Sequence, residues 1–191
     1  DEGFRSQDAV NFSRDLVSSS IIVRNQLLPS LINNGINLIS VDSSFSDLRK
    51  LNHALKIPED NGFKSIVLHP LGINPWTDKL KEPIEISQVG DGMILLQLFL
   101  RGKPFTESLN DKDRWLNAII QIQLIKRLSG VIIYGCPYFY DDVERILCKS
   151  IPFAYSPAQT LEAQKQIFEM FFVSDSPIKS INNKINRQFT D

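Results

Sequence analysis

Histidine and cysteine are scarce in this chain, with two of each among 191 residues. Cys136 and Cys148 share no C-x-x-C spacing and have no histidine close in sequence, which argues against a zinc site. Two isolated thiols point instead to a reducing, cytoplasmic setting. Net charge is also lacking. At −1 the chain has no strong field with which to attract nucleic acid or anionic lipid, so neither nucleic acid nor membrane is expected as a partner. The longest apolar run, residues 93–100, is far too short to cross a bilayer, and no signal peptide is visible. Nucleotide loops are missing too. A dinucleotide site needs G-x-G-x-x-G between a strand and a helix, whereas Gly90-Asp91-Gly92 precedes a strand and reads as a turn. There is no Walker loop and no G-x-S-x-G nucleophile elbow. No cofactor is implied.

What remains is an ordinary globular composition, 42% hydrophobic and 23% charged, at a length suited to one domain. Short apolar runs alternate with helical patterns, as βαβ construction requires. Strands are expected at 21–23, 36–41, 65–68, 93–100, 131–134 and 151–155, with a further short one at 84–86. Helices are expected at 7–19 with Ser6 as N-cap, from Asp47 to a stop at Pro58, at 110–127 with Gly130 as terminator, at 141–149 and at 157–173. The adjacent Asp141 and Asp142 read as the N-terminal cap of the fourth helix. Residues 93–100 are apolar without alternation, the mark of a strand buried on both faces. The expected fold is a three-layer αβα sandwich, flavodoxin-like, with a mainly parallel sheet of about five to six strands. Residues 1–173 form one domain, and 174–191 form a polar tail.

In an open parallel sheet, ligands bind at the carboxyl ends of the strands. Asp42, His69, Arg101, Gly102, Pro104, Gly135, Tyr138 and Tyr155 all fall at or just beyond such ends and form the candidate site. Cys136 is read as structural and His53 as solvent-facing. Asp42, Asp91, Asp141 and Asp142 lie near strand ends, but no pair of them can be assigned the carboxylate spacing that glycoside hydrolysis needs. A receiver domain is disfavoured: Asp42 is single, no aspartate directly follows Leu68, and no lysine ends the last strand.

Three stretches together resemble the C-terminal domain of glycoside hydrolase family 3, above all its β-N-acetylglucosaminidase-type branch. Residues 12–25, FSRDLVSSSIIVRN, are similar to the segment that links the family's barrel to its second domain. Residues 96–105, LQLFLRGKPF, are similar to a family strand followed by R-G-N-P-F, with Lys103 in place of the asparagine. VIIYGCPY at 131–138 and IPFAYS at 151–156 resemble the paired strand ends that follow. The resemblance implies an accessory domain of an enzyme acting on β-N-acetylglucosaminides or β-glucosides. Its partner would be an N-terminal TIM-barrel domain of the same parent protein, and residues 1–25 would be the linker from that barrel. In the family the nucleophilic aspartate and, in this branch, the acid/base histidine lie on the barrel. No stretch here matches them, so no catalytic residue is assigned and the domain is expected to be inactive alone. Arg101 would hydrogen-bond a sugar or a barrel loop, and Tyr138 or Tyr155 would stack. Packing of the interdomain contact is the other reading of the same residues. A self-sufficient flavodoxin-like module for a small ligand is the alternative that fold alone leaves open.

Overall fold

The computed structural model describes residues 7–41, 47–68, 89–100 and 109–173. Six strands form one sheet: β1 (Ile22–Arg24), β2 (Ile36–Val41), β3 (Lys64–Leu68), β4 (Ile94–Leu100), β5 (Leu128–Gly135) and β6 (Phe153–Ser156). Their order is β1-β6-β5-β4-β2-β3. All neighbours are parallel except β1, which pairs antiparallel with β6 through Ile22–Tyr155, Val23–Ala154 and Arg24–Phe153. Leaving β1 aside, the order is that of flavodoxin-like sheets. The helices are α1 (Gln7–Ser20), α2 (Asn52–Asp60), α3 (Leu109–Leu124), α4 (Pro137–Ile146) and α5 (Leu161–Phe171).

Central strands need apolar side chains on both faces, and alternation then sorts them into two cores. Leu38, Ile94, Leu96, Leu98, Val131, Ile133 and Phe153 point to the side covered by Trp115, Ile119 and Ile122 of α3 and by Phe139 and Val143 of α4. Ile39, Val41, Leu95, Phe99, Ile132 and Tyr134 point to the other side, against Ala54 of α2 and Ile167, Phe168 and Phe171 of α5. The three-layer αβα sandwich follows directly.

The second core contains a polar network. Pro58 lies inside α2, where the sequence suggests a stop, and the helix runs on to Asp60. A proline lacks the N–H that would bond the carbonyl four residues back, here that of Ala54. Two buried side chains from the sheet supply the missing donors. Asn37 Nδ2 of β2 is 2.9 Å and Gln97 Nε2 of β4 is 2.8 Å from the Ala54 oxygen. Gln97 also donates to Asn37 Oδ1 at 2.6 Å and accepts from the Tyr134 hydroxyl at 3.2 Å. Gln164 of α5 accepts from the Ala54 N–H at 3.0 Å and donates to the Lys50 carbonyl at 2.7 Å. Because the freed carbonyl is satisfied, the helix passes its proline.

Other boundaries also move. Asp47 caps a 3-10 turn, Leu48–Leu51, that precedes α2, with its carboxylate accepting from the Arg49 N–H at 3.0 Å. Gly130 does not end α3. The chain leaves the helix through Lys126 at φ 59°, and Gly130 lies within β5, where an added Cβ would sit 2.9 Å from the Phe171 ring. α4 starts at Pro137, which has no N–H to lose in a first turn, so Asp141 and Asp142 sit mid-helix rather than at its cap. α5 starts at Leu161 behind Thr160, whose hydroxyl accepts from the Ala163 N–H at 3.3 Å. The strand expected at 84–86 lies outside the described residues, as does the tail from 174. Among the described residues no helix is long and apolar enough to cross a membrane.

Candidate functional site at the carboxyl edge of the sheet

The parallel strands β2 to β6 all point the same way, so Val41, Leu68, Leu100, Gly135 and Ser156 end along one edge. Open α/β sheets bind ligands outside the strand pair where the chain's direction of progress reverses. Here that pair is β2 and β4. Asp42 and Arg101 are the next residues in sequence after Val41 and Leu100, and His69 follows Leu68. Asp42, His69, Arg101, Gly102 and Pro104 lie outside the described residues, while Gly135, Tyr138 and Tyr155 lie within them.

Gly135 ends β5 at φ +103°, a conformation that L side chains rarely adopt. An added Cβ would lie 2.2 Å from the Leu100 carbonyl oxygen and 2.7 Å from Gln159 Nε2. That crowding reflects a junction of three elements. Gln159, between β6 and α5, donates from Nε2 to Leu100 O at 3.1 Å and to Tyr134 O at 3.2 Å. The Tyr155 hydroxyl donates to Gly135 O at 3.3 Å. Ser156 Oγ accepts from the Ala158 N–H at 3.1 Å and shapes the turn that delivers Gln159. The ends of β4, β5 and β6 are thereby tied together, which fixes the point from which the chain leaves β4.

Tyr155 is only 7% exposed, and its ring lies 5.0 Å from that of Tyr140. Burial, with smaller contributions from Cys136 and Asp141, pushes its phenol above the usual tyrosine range, so it remains a donor at neutral pH. Tyr138 is the opposite case. It occupies the first turn of α4 next to the β5 end and is 72% exposed. An aromatic ring held out at this edge offers an apolar face for stacking. Cys136 precedes α4 as its half-buried N-cap residue and is a free thiol. His53, expected to face solvent, is partly buried on α2, and its Nδ1 lies 2.8 Å from the Leu161 carbonyl oxygen of α5 in an exposed contact.

Gln159 stands outside the residues singled out from sequence. It lies in a polar turn, and only the three-strand junction gives it a role. Tyr140 is similar. It stacks on Phe153 at 5.1 Å and bonds Glu144, and burial with that carboxylate pushes its phenol up to about 12. Among the described residues no group of three or more His, Cys, Asp or Glu could hold a metal ion.

No curated protein matches the chain. A family model does: that of the bacterial glycosyl hydrolase family 3 C-terminal domain, over residues 29–173. The match takes in β2 to β6 and α2 to α5, the whole parallel sheet and the helices that cover it. With the flavodoxin-like sheet order and the strand-end motifs in place within that span, the chain belongs to the bacterial glycosyl hydrolase family 3 C-terminal domain family.

Proposed function

We propose that this domain is the accessory part of a family 3 glycosidase acting on β-N-acetylglucosaminides or β-glucosides, in a cytoplasmic pathway of carbohydrate metabolism. The observation that carries the reading is the family match over residues 29–173. A C-terminal domain of this family implies an N-terminal catalytic domain in the parent protein, and that domain would be a barrel carrying the nucleophile and the acid/base. The present chain would then contribute shape rather than chemistry. Its carboxyl edge would face the barrel, with Asp42, His69, Arg101, Gly102 and Pro104 following the strand ends in sequence. Tyr138 supports this assignment because it exposes a large ring at that edge, while Gly135 and Tyr155 hold the edge's form.

The test is hydrolysis of chromogenic β-N-acetylglucosaminides and β-glucosides by the parent gene product and by this chain side by side. Cleavage by the parent with none by the chain is the expected result. Cleavage by the chain itself would overturn the accessory assignment and make Asp42, His69 and Asp141 the first residues to replace. Cleavage by neither would favour a small-ligand-binding module instead.

A further inference from the structure

Two glutamines, one just before α5 and one in its first turn, reach both chain segments that flank the switch point between β2 and β4. Gln164 is fully buried. Its Nε2 donates to the Lys50 carbonyl at 2.7 Å and to the Gln159 carbonyl at 3.1 Å. Lys50 belongs to the 3-10 turn that Asp47 caps, where the chain coming from Val41 at the end of β2 is taken up again. Gln159 donates in turn to Leu100 O and Tyr134 O, close to the ends of β4 and β5. Thr160 stiffens the piece between the two amides. Its hydroxyl accepts from the Ala163 N–H and its carbonyl from the Gln164 N–H at 3.0 Å. One short, capped turn therefore holds the take-up point behind β2 and the departure point from β4.

Gln159 sets the direction of that departure. The Leu100 carbonyl and the Arg101 nitrogen share one rigid peptide plane. A donor fixed on the oxygen fixes the plane, and with it the line along which the chain continues to Arg101. β2 and β4 lie side by side at this edge, with Val41 opposite Phe99. The bond to Leu100 contributes little to stability. Leu100 and Gln159 are both half-buried, and at a strand end that solvent reaches, water would serve the carbonyl nearly as well. An amide placed on this carbonyl gives direction instead. Gly135 leaves room for it, since a Cβ there would fall 2.7 Å from Gln159 Nε2.

Resting on the family reading above, we infer that Gln159 is a positioning residue for the parent enzyme, with Gln164 as its anchor. Together they hold the two sides of the β2/β4 crevice in one arrangement, so that the carboxyl edge presents a single preformed surface to the sugar substrate. Neither glutamine touches the sugar. Losing the arrangement weakens substrate binding before it slows chemistry, because on that reading the reacting groups lie on the barrel.

The test is steady-state kinetics of the full parent protein on whichever chromogenic β-N-acetylglucosaminide or β-glucoside it cleaves, at a temperature where each variant is folded by circular dichroism. Gln159→Leu keeps the bulk and removes the donor. It should raise KM about fivefold or more and change kcat less than about twofold, the signature of lost substrate binding. Gln159→Glu adds a readout that folding alone would not move. Near neutral pH its carboxylate faces two carbonyl oxygens and can only accept, whereas the protonated acid donates to one of them. The KM of Gln159→Glu relative to the original protein should therefore fall about twofold or more between about pH 7 and pH 5. Should Gln159→Leu not fold, that pH dependence decides alone. Unchanged KM in an active parent overturns the inference while leaving the glycosidase reading intact. A lower kcat at constant KM also overturns it, because it reports only fewer folded molecules. So does a raised KM for Gln159→Glu that does not move with pH. A parent that cleaves neither glycoside takes down the reading on which the inference rests.

Discussion

Replacing Gln97 with methionine should be among the most damaging single substitutions in the domain, although methionine is a common core residue of similar length. Gln97 is fully buried and makes three contacts at once: it donates to Asn37 Oδ1 and Ala54 O and accepts from the Tyr134 hydroxyl. Methionine keeps the volume and loses all three. The Ala54 carbonyl retains Asn37 as a donor. Asn37 Oδ1 and the Tyr134 hydroxyl lose the partners that Gln97 gave them, in a region closed to water. Each orphaned group costs about 1–3 kcal/mol. Removing the buried amide returns about 1–2 kcal/mol. The net loss is therefore about 1–4 kcal/mol, or a Tm lower by roughly 3–15 °C for a domain of this size. Urea unfolding should show the midpoint moving at constant m-value.

Tyr134→Phe separates this account from a general intolerance of the core. It keeps the ring stacked 4.2 Å from Phe99 and removes only the hydroxyl. Alone it should cost about 1 kcal/mol. In the Gln97→Met background it removes an orphan, so the two together should cost about 1–2 kcal/mol less than their sum. A Gln97→Met protein within about 0.5 kcal/mol of the original would refute the reasoning, and so would strict additivity with Tyr134→Phe.

Gly135→Ala should cost about 3 kcal/mol or more through a strained φ and a Cβ pressed on Leu100 O, read as a lowered Tm; an unchanged Tm would mean that the strand ends are looser than described. Thr160→Ala removes the cap of α5 and should lower stability by about 1 kcal/mol in urea titration, while Thr160→Ser should not. The Glu144 carboxyl is held below its ordinary value by the Tyr140 hydroxyl first, then by Arg24 and Lys149. A depressed folded-state value means that its contribution is complete above the unfolded pKa, near 4.5, and is lost as pH falls through the folded one. Glu144→Gln should therefore flatten the acid limb of a Tm-against-pH curve and leave its neutral region less affected; an unchanged acid limb would count against the Arg24–Glu144–Tyr140 cluster.

Local pattern carries the sheet well and its corrections badly. β2, β4 and β5 are legible as β-branched or leucine-rich runs because strands buried on both faces need nothing else. α4 is misplaced by its acidic pair: Asp141 and Asp142 look like a cap, whereas Pro137 begins the helix. Pro58 looks like a terminator because the donors that replace its N–H come from Asn37 and Gln97, distant in sequence. No local rule joins those positions. The antiparallel pairing of β1 with β6 is equally non-local. Of the candidate site, the edge itself is readable from the alternation of strands and helices. The arrangement within it is not. Gln159 matters only where β4, β5 and β6 end together, and Tyr155, at a strand end in sequence, has its ring buried.

The amide pair beneath α2 also bears on which of several sheets this sequence could build. β2 and β4 are buried on both faces, so sliding one past the other by a residue would exchange one apolar set for another. Hydrophobicity alone barely distinguishes the two alignments. Gln97 does. One step of slippage of β4 would turn it toward Leu38, Ile133 and the α3 side, among hydrocarbon with no hydrogen-bond partner, and would turn Leu96 or Leu98 toward the Ala54 carbonyl. In the native alignment Gln97 lies beside Ile39 and reaches Asn37 on the same face. One buried amide side chain in each of two greasy strands thus acts as an address, excluding the misaligned neighbours during folding as well as holding the finished helix.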